Sequence, residues 1–151
     1  MKHLAYSIDI QRPLADVYQL ASQVERQPEL MPDYLSCRVL ERQPDRWLLE
    51  RTAEIHGKAV AWRSWVRFRE NEGLYFTHEG GRLDGMEVVW RFEARNDHET
   101  RMIITQAFRI RHPLPGVGAL MEKWIFGPKL SDIAQRVIRS FKKACETNQG
   151  G

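Results

Sequence analysis

Four residues with useful chemistry stand in an apolar setting: Tyr34, Arg51, Ser64 and Gln106. A phenol, a guanidinium, a hydroxyl and a carboxamide are the kinds of group that orient a ligand inside an otherwise apolar pocket. Side chains alternate across a strand, so parity assigns their neighbours. Arg51 shares a face with Trp47, Leu49, Ala53 and Ile55. Ser64 shares one with Val60, Trp62, Val66 and Phe68, and Gln106 with Met102, Ile104, Phe108 and Ile110. Met86, Val88, Trp90 and Phe92 form a fourth apolar set. An unpaired polar group in a dry core costs about 1–3 kcal/mol, and an unpaired charge more. Arg51, Ser64 and Gln106 therefore need partners, water or a ligand. A plainer reading stands beside this one. The aromatic residues can be simple packing, Arg51 can reach solvent from a strand end, and Ser64 can bond a nearby backbone carbonyl.

Other chemistry is sparse. His3, His56, His78, His98 and His112 form no metal-spaced pair, so no metal site is expected. His78 alone shares parity with inward candidates, Leu74 and Phe76. Gly80-Gly81 and Gly85 open no helix, which removes a phosphate loop. No Gly-x-Ser-x-Gly or Cys-His motif occurs. Cys37 and Cys145 read as two reduced thiols in a cytoplasmic protein. No cofactor is implied.

The elements that must position these residues follow from period. Leu4, Tyr6, Ile8 and Ile10 alternate as a half-buried strand. Pro13 opens a short helix to about residue 24, and a second helical turn at 28–31 stops at Pro32. About six strands follow, at 34–42, 46–56, 58–69, 73–79, 85–95 and 100–111, broken by turn residues such as Asn71-Glu72-Gly73 and Asn96-Asp97-His98. Short connections make them an antiparallel meander. Val117–Phe126 is a short helix, which Gly127-Pro128 is expected to interrupt. From Lys129 on, Leu130, Ile133, Ala134, Val137, Ile138, Phe141 and Cys145 form one apolar stripe of a long helix. This is an α+β class: a curved antiparallel sheet of about seven strands around a long C-terminal helix, with two short helices after the first strand. A twisted sheet gripping one helix leaves space for a cavity, with Ile133 and Val137 facing it. Gly116-Val117-Gly118 and Gly127-Pro128 read as hinges at its mouth.

A chain of 151 residues makes one domain, expected over 1–146 with a flexible tail at 147–151. It is 42% hydrophobic and 28% charged, too apolar for a disordered chain, and no apolar run reaches the roughly 20 residues of a membrane span. The first six residues lack the apolar region of a signal peptide. The net charge of +3 leaves an acidic partner open without requiring one. Arg63, Arg67, Arg69, Arg91, Arg95, Arg101, Arg109 and Arg111 have outward parity. They read either as a salt-bridged sheet face or as a docking surface for acyl carrier protein, RNA or anionic lipid.

The order of elements, with Pro28-Glu29-Leu30-Met31-Pro32-Asp33-Tyr34 after the first helix, resembles the START-like helix-grip superfamily. Trp62-Arg63-Ser64 and the strand Gly85-Met86-Glu87-Val88-Val89-Trp90-Arg91-Phe92 resemble its polyketide cyclase/aromatase and coenzyme-Q-binding branch. That resemblance implies a hydrophobic ligand, a polyketide, quinone or lipid, held in an internal cavity. It matches Tyr34 and Ser64 to catalytic positions and expects an arginine two residues after the serine. Valine, Val66, stands there, and Arg51 on the adjacent strand is the substitute guanidinium. If the protein is an enzyme, the implied reaction is aldol cyclisation and aromatisation, with Tyr34, Ser64 and Arg51 catalytic. Trp62, Val66, Phe68, Met86, Trp90, Phe92, Gln106, Phe108, Ile133 and Val137 are the expected ligand contacts. The alternative is a non-enzymatic module docking on RNA or the ribosome through the arginine-rich face.

Overall fold

The computed structural model describes residues 2–55, 57–81, 83–110 and 112–147. The outward placement of Arg111, and the tail after residue 147, lie outside those residues.

Seven strands form one antiparallel sheet in the order β1-β7-β6-β5-β4-β3-β2. They are β1 (Lys2–Ile10), β2 (Tyr34–Arg42), β3 (Trp47–Ile55), β4 (Lys58–Arg69), β5 (Gly73–Glu79), β6 (Glu87–Asn96) and β7 (Glu99–Phe108). Strands β2 to β7 are a meander, as their short connections require. The chain closes the sheet by pairing β1 with the last strand, from Lys2 opposite Phe108 to Ile10 opposite Thr100. Register shifts between Tyr34 and Ser36 and between Val39 and Glu41 bend the edge strand β2. The expected period-two burial holds through β7, where Thr100, Met102, Ile104, Gln106 and Phe108 all point inward.

Between β1 and β2 lie α1 (Leu14–Ser22), a 3-10 turn (Val24–Arg26) and α2 (Gln27–Leu30). Pro13 precedes the first helix and Pro32 follows the second, as expected.

The C-terminal helix departs from expectation at Gly127-Pro128. The chain passes from α3 (Val117–Met121) through a π-helical segment (Glu122–Phe126) into α4 (Gly127–Thr147) without a break. The Gly127 N–H donates to the Glu122 carbonyl, the five-residue spacing of a π turn. A Cβ at residue 127 would sit 2.5 Å from that oxygen, so glycine permits the close approach. Pro128 has no N–H to give the preceding turn, and the wider turn accommodates it.

Phe141 fastens α4 to the sheet. It is fully buried, with ring centroids 5.6 Å from Trp90 and 6.4 Å from Phe92. Tyr18 of α1 meets Phe92 edge-on at 6.4 Å. The core is packed at this end, around Ile138, Phe141 and Cys145, and opens toward the N-terminal half of α4.

Candidate functional site

A cavity of about 580 Å³ lies between the sheet and α4. Its size falls in the range of small-molecule pockets, about 300–1,000 Å³. The sheet contributes Tyr34, Arg51, Trp62, His78, Trp90 and Gln106, and α4 contributes Leu130, Ile133, Ala134 and Val137. Phe126 of the π segment and Leu83 and Met86 of the β5–β6 loop also line it. That loop turns through Gly80, Gly81 and Gly85, all at positive φ, which glycine adopts without a Cβ penalty.

Cross-strand register builds the polar cluster. Arg51 sits opposite Trp62, and Leu49 opposite Ser64, which in turn faces His78. The Arg51 guanidinium reaches diagonally, and its Nη2 donates to Ser64 Oγ at 2.9 Å. It also lies over the Phe76 and Trp62 rings, at 4.6 and 5.2 Å. Arg51 is only 4% exposed, and no carboxylate among the described residues pairs with it. Its Nε is buried without a hydrogen-bond partner. Nη1 makes no hydrogen bond to the described residues either, yet it is not among the fully sealed atoms, which leaves it as the donor facing the cavity. Tyr34 also packs against Trp62, with ring centroids 6.0 Å apart.

These neighbours are neutral. Burial raises the Tyr34 phenol and the Cys37 thiol above their ordinary values, with Arg51 opposing both shifts. Burial, aided by the Arg51 charge, lowers the His78 imidazole to about 3. Burial also works against the charge of Arg51 itself, but an arginine stays protonated in proteins. The cluster therefore holds one uncompensated positive charge.

The expected contacts divide in two. Trp62, Met86, Trp90, Gln106, Ile133 and Val137 line the cavity, as do Tyr34 and Arg51. Ser64 is fully buried behind Arg51 and touches the cavity through it. Val66, Phe68, Phe92 and Phe108 do not line it. Val66 and Phe92 belong to the main core, and Phe68 packs on Trp47 at 4.9 Å. Phe108 joins Met86 and Ile110 in a second cluster. All four have inward parity, but they lie where the core is filled. His78 was marked by parity and proves to be a wall residue. Parity and stripe also marked Ile55, Val60, Val88, Ile104 and Leu130, which join it.

Charged residues surround the mouth. Asp33 and Arg136 form a two-pronged ion pair at 2.8 and 2.9 Å, joining the start of β2 to α4. Glu54, Arg63, Glu79 and Asp132 lie nearby. Arg63 of the mouth pairs with Glu50, and on the outward side of the sheet Arg91 pairs with Glu93, Arg95 with Glu99 and Arg101 with Asp9. Among the described residues no group of three potential metal ligands converges, and no helix is long and apolar enough to cross a membrane.

Comparison with known proteins agrees with this geometry. A protein of Streptomyces cyaneus, provisionally named a polyketide cyclase, is 32% identical over 118 residues, 75% of this chain and 76% of its own. The fold matches the Zhui aromatase/cyclase of Streptomyces sp. R1128 with a TM-score of 0.85 at 13% identity, over 99% of this chain and 98% of that one. It matches a START superfamily protein of Mycobacterium smegmatis at 0.78 and 14% identity, over 95% and 97%. The family model described as polyketide cyclase/dehydrase and lipid transport matches residues 10–138. The chain belongs to the polyketide cyclase/dehydrase and lipid transport family.

Proposed function

We propose that the cavity binds a polyketide-like chain rich in carbonyl groups and promotes its cyclisation and dehydration. One observation carries this reading: a buried guanidinium with a free donor, beside a phenol, on the wall of an otherwise apolar cavity. A methylene flanked by two ketones gives up a proton to solvent water, leaving an enolate, and after the new carbon–carbon bond forms the aldol alkoxide takes a proton back from water. Arg51 stabilises the enolate oxygen, as a preorganised donor in a water-poor site does. Ser64 accepts from Nη2 and holds the guanidinium in place. Tyr34, kept protonated by burial, donates to the carbonyl under attack as it becomes an alkoxide. Loss of water then leads toward an aromatic ring. The apolar walls and the ring of Trp62 hold the folded chain.

Arg51 thus takes the part of the arginine missing at position 66. Val66 lies in the core, so no guanidinium competes with it from there. Four of the outer-face arginines, Arg63, Arg91, Arg95 and Arg101, are paired with carboxylates, which weakens that face as a docking surface for RNA.

The test supplies a poly-β-ketone on an acyl carrier protein and follows the products by chromatography and mass spectrometry. Wild-type protein is expected to shift the mixture toward a cyclised, aromatised product. Arg51→Gln and Tyr34→Phe should each restore most of the spontaneous mixture, a loss of about a hundred-fold or more for the arginine. A mixture unchanged by wild-type protein rejects the proposal.

A further inference from the structure

We infer that the cavity selects its ligand as a monoanion, whose negatively charged oxygen sits on the Arg51 guanidinium. This rests on the reading of the cavity as a ligand site, and it narrows the ligand to an oxygen acid: a carboxylate or the enolate of a 1,3-dicarbonyl. The first argument is charge balance. A buried guanidinium without a counter-ion is costly unless something compensates it. Elsewhere in this protein arginines find carboxylates: Arg136 has Asp33, Arg101 has Asp9 and Arg26 has Glu29. Arg51 has a serine hydroxyl and two ring faces.

The second argument is the identity of the neighbours. The titratable groups coupled to Arg51 are the Tyr34 phenol and the Cys37 thiol, both on β2, and burial keeps both protonated and uncharged at pH 7. His78, from β5, feels the Arg51 charge and stays neutral. The carboxylates of Asp33, Glu54, Glu79 and Asp132 line the mouth, where Asp33 is held by Arg136, and among the described residues none forms an ion pair with Arg51. The compensating charge is missing from the described residues and can come from the guest.

The third argument is access. Nη2 is committed to Ser64 and Nε is sealed, so Nη1 is the donor the guest meets. Gln106, also buried and on the wall, has its Oε1 sealed and its Nε2 without a hydrogen bond among the described residues, a second, neutral donor for an oxygen-rich guest. The apolar walls take the rest of the molecule.

The experiment uses a matched pair differing only in charge: 1-naphthylacetate and 1-naphthylacetamide, titrated into the protein by calorimetry at pH 7. The acid should bind more tightly by about ten- to a hundred-fold, the range that a hydrogen bond to a charged group delivers. Arg51→Gln should bring the two affinities to within about three-fold, less than half of one such decade. Equal binding of acid and amide to wild-type protein overturns the anion preference and leaves the proposed cavity function standing. Binding of neither overturns both. Should the variant fail to fold, the wild-type pair alone still decides.

Discussion

Arg51 and His78 are two basic side chains that share one cavity wall, and burial treats them differently. A guanidinium cannot shed its proton, so burial leaves Arg51 charged and in need of a partner. An imidazole can, and burial in an apolar wall beside that charge lowers His78 to about 3. The folded protein therefore binds fewer protons at His78 than the unfolded chain does between about 3 and the ordinary 6.5. Stability from His78 is fully present above pH 6.5 and is lost as pH falls through that window. The slope from this group is at most about 1.4 kcal/mol per pH unit. Urea midpoints at pH 7 and pH 5.5 should fall for the wild type and stay nearly level for His78→Asn. The carboxylates held low by arginine or lysine, Asp9, Glu29 and Glu50 among them, stay ionised in both states between pH 7 and pH 5.5, because their ordinary values of 3.8 and 4.5 lie below that interval and the folded protein lowers them further. An identical fall in both proteins would show that His78 is not the group responsible.

At the scale of elements, the π segment is the piece that a periodic reading misses. Gly127 and Pro128 are the two weakest helix formers, and together they signal an end. Here they mark a widened turn inside a continuous helix, because Gly127 lets its backbone approach the Glu122 carbonyl. The segment brings Phe126 and Leu130 to the cavity wall. Gly127→Ala forces a Cβ against that oxygen and should cost about 1–3 kcal/mol, the range of stored local strain. Thermal melting should show this as a fall of several degrees. A variant as stable as wild type would mean that the turn relaxes freely.

For the whole molecule, the decisive contact is the one that packs the C-terminal half of α4 on the sheet. Phe141 joins the helix to Trp90 and Phe92, and the outward half of the helix stands over the cavity. Phe141→Ala removes a fully buried ring and should cost about 3–5 kcal/mol, read from urea unfolding. The same change at a cavity-wall position should cost less, since Phe126 is only partly buried, packed against the Met86, Phe108 and Ile110 cluster and lining the cavity. Phe126→Ala is the matching control, and equal losses at the two sites would contradict a helix packed at one end and open at the other.

The element order, the meander and the inward sides of the strands are legible in the chain, because period and burial are local properties. The inward parity of Tyr34, Arg51, Ser64, His78 and Gln106 follows from the same rule. Parity tells which side a residue faces and not how far away the opposite layer stands. That distance separates Trp62 on the cavity wall from Val66 and Phe68 in the packed region of the same strand. It depends on how α4 crosses the sheet, which is set by contacts between Phe141 and strands some 50 residues earlier in the chain. The bond from Arg51 to Ser64 likewise needs the register of β3 against β4. Only the assembled layers decide where the protein fills its own interior and where it leaves room.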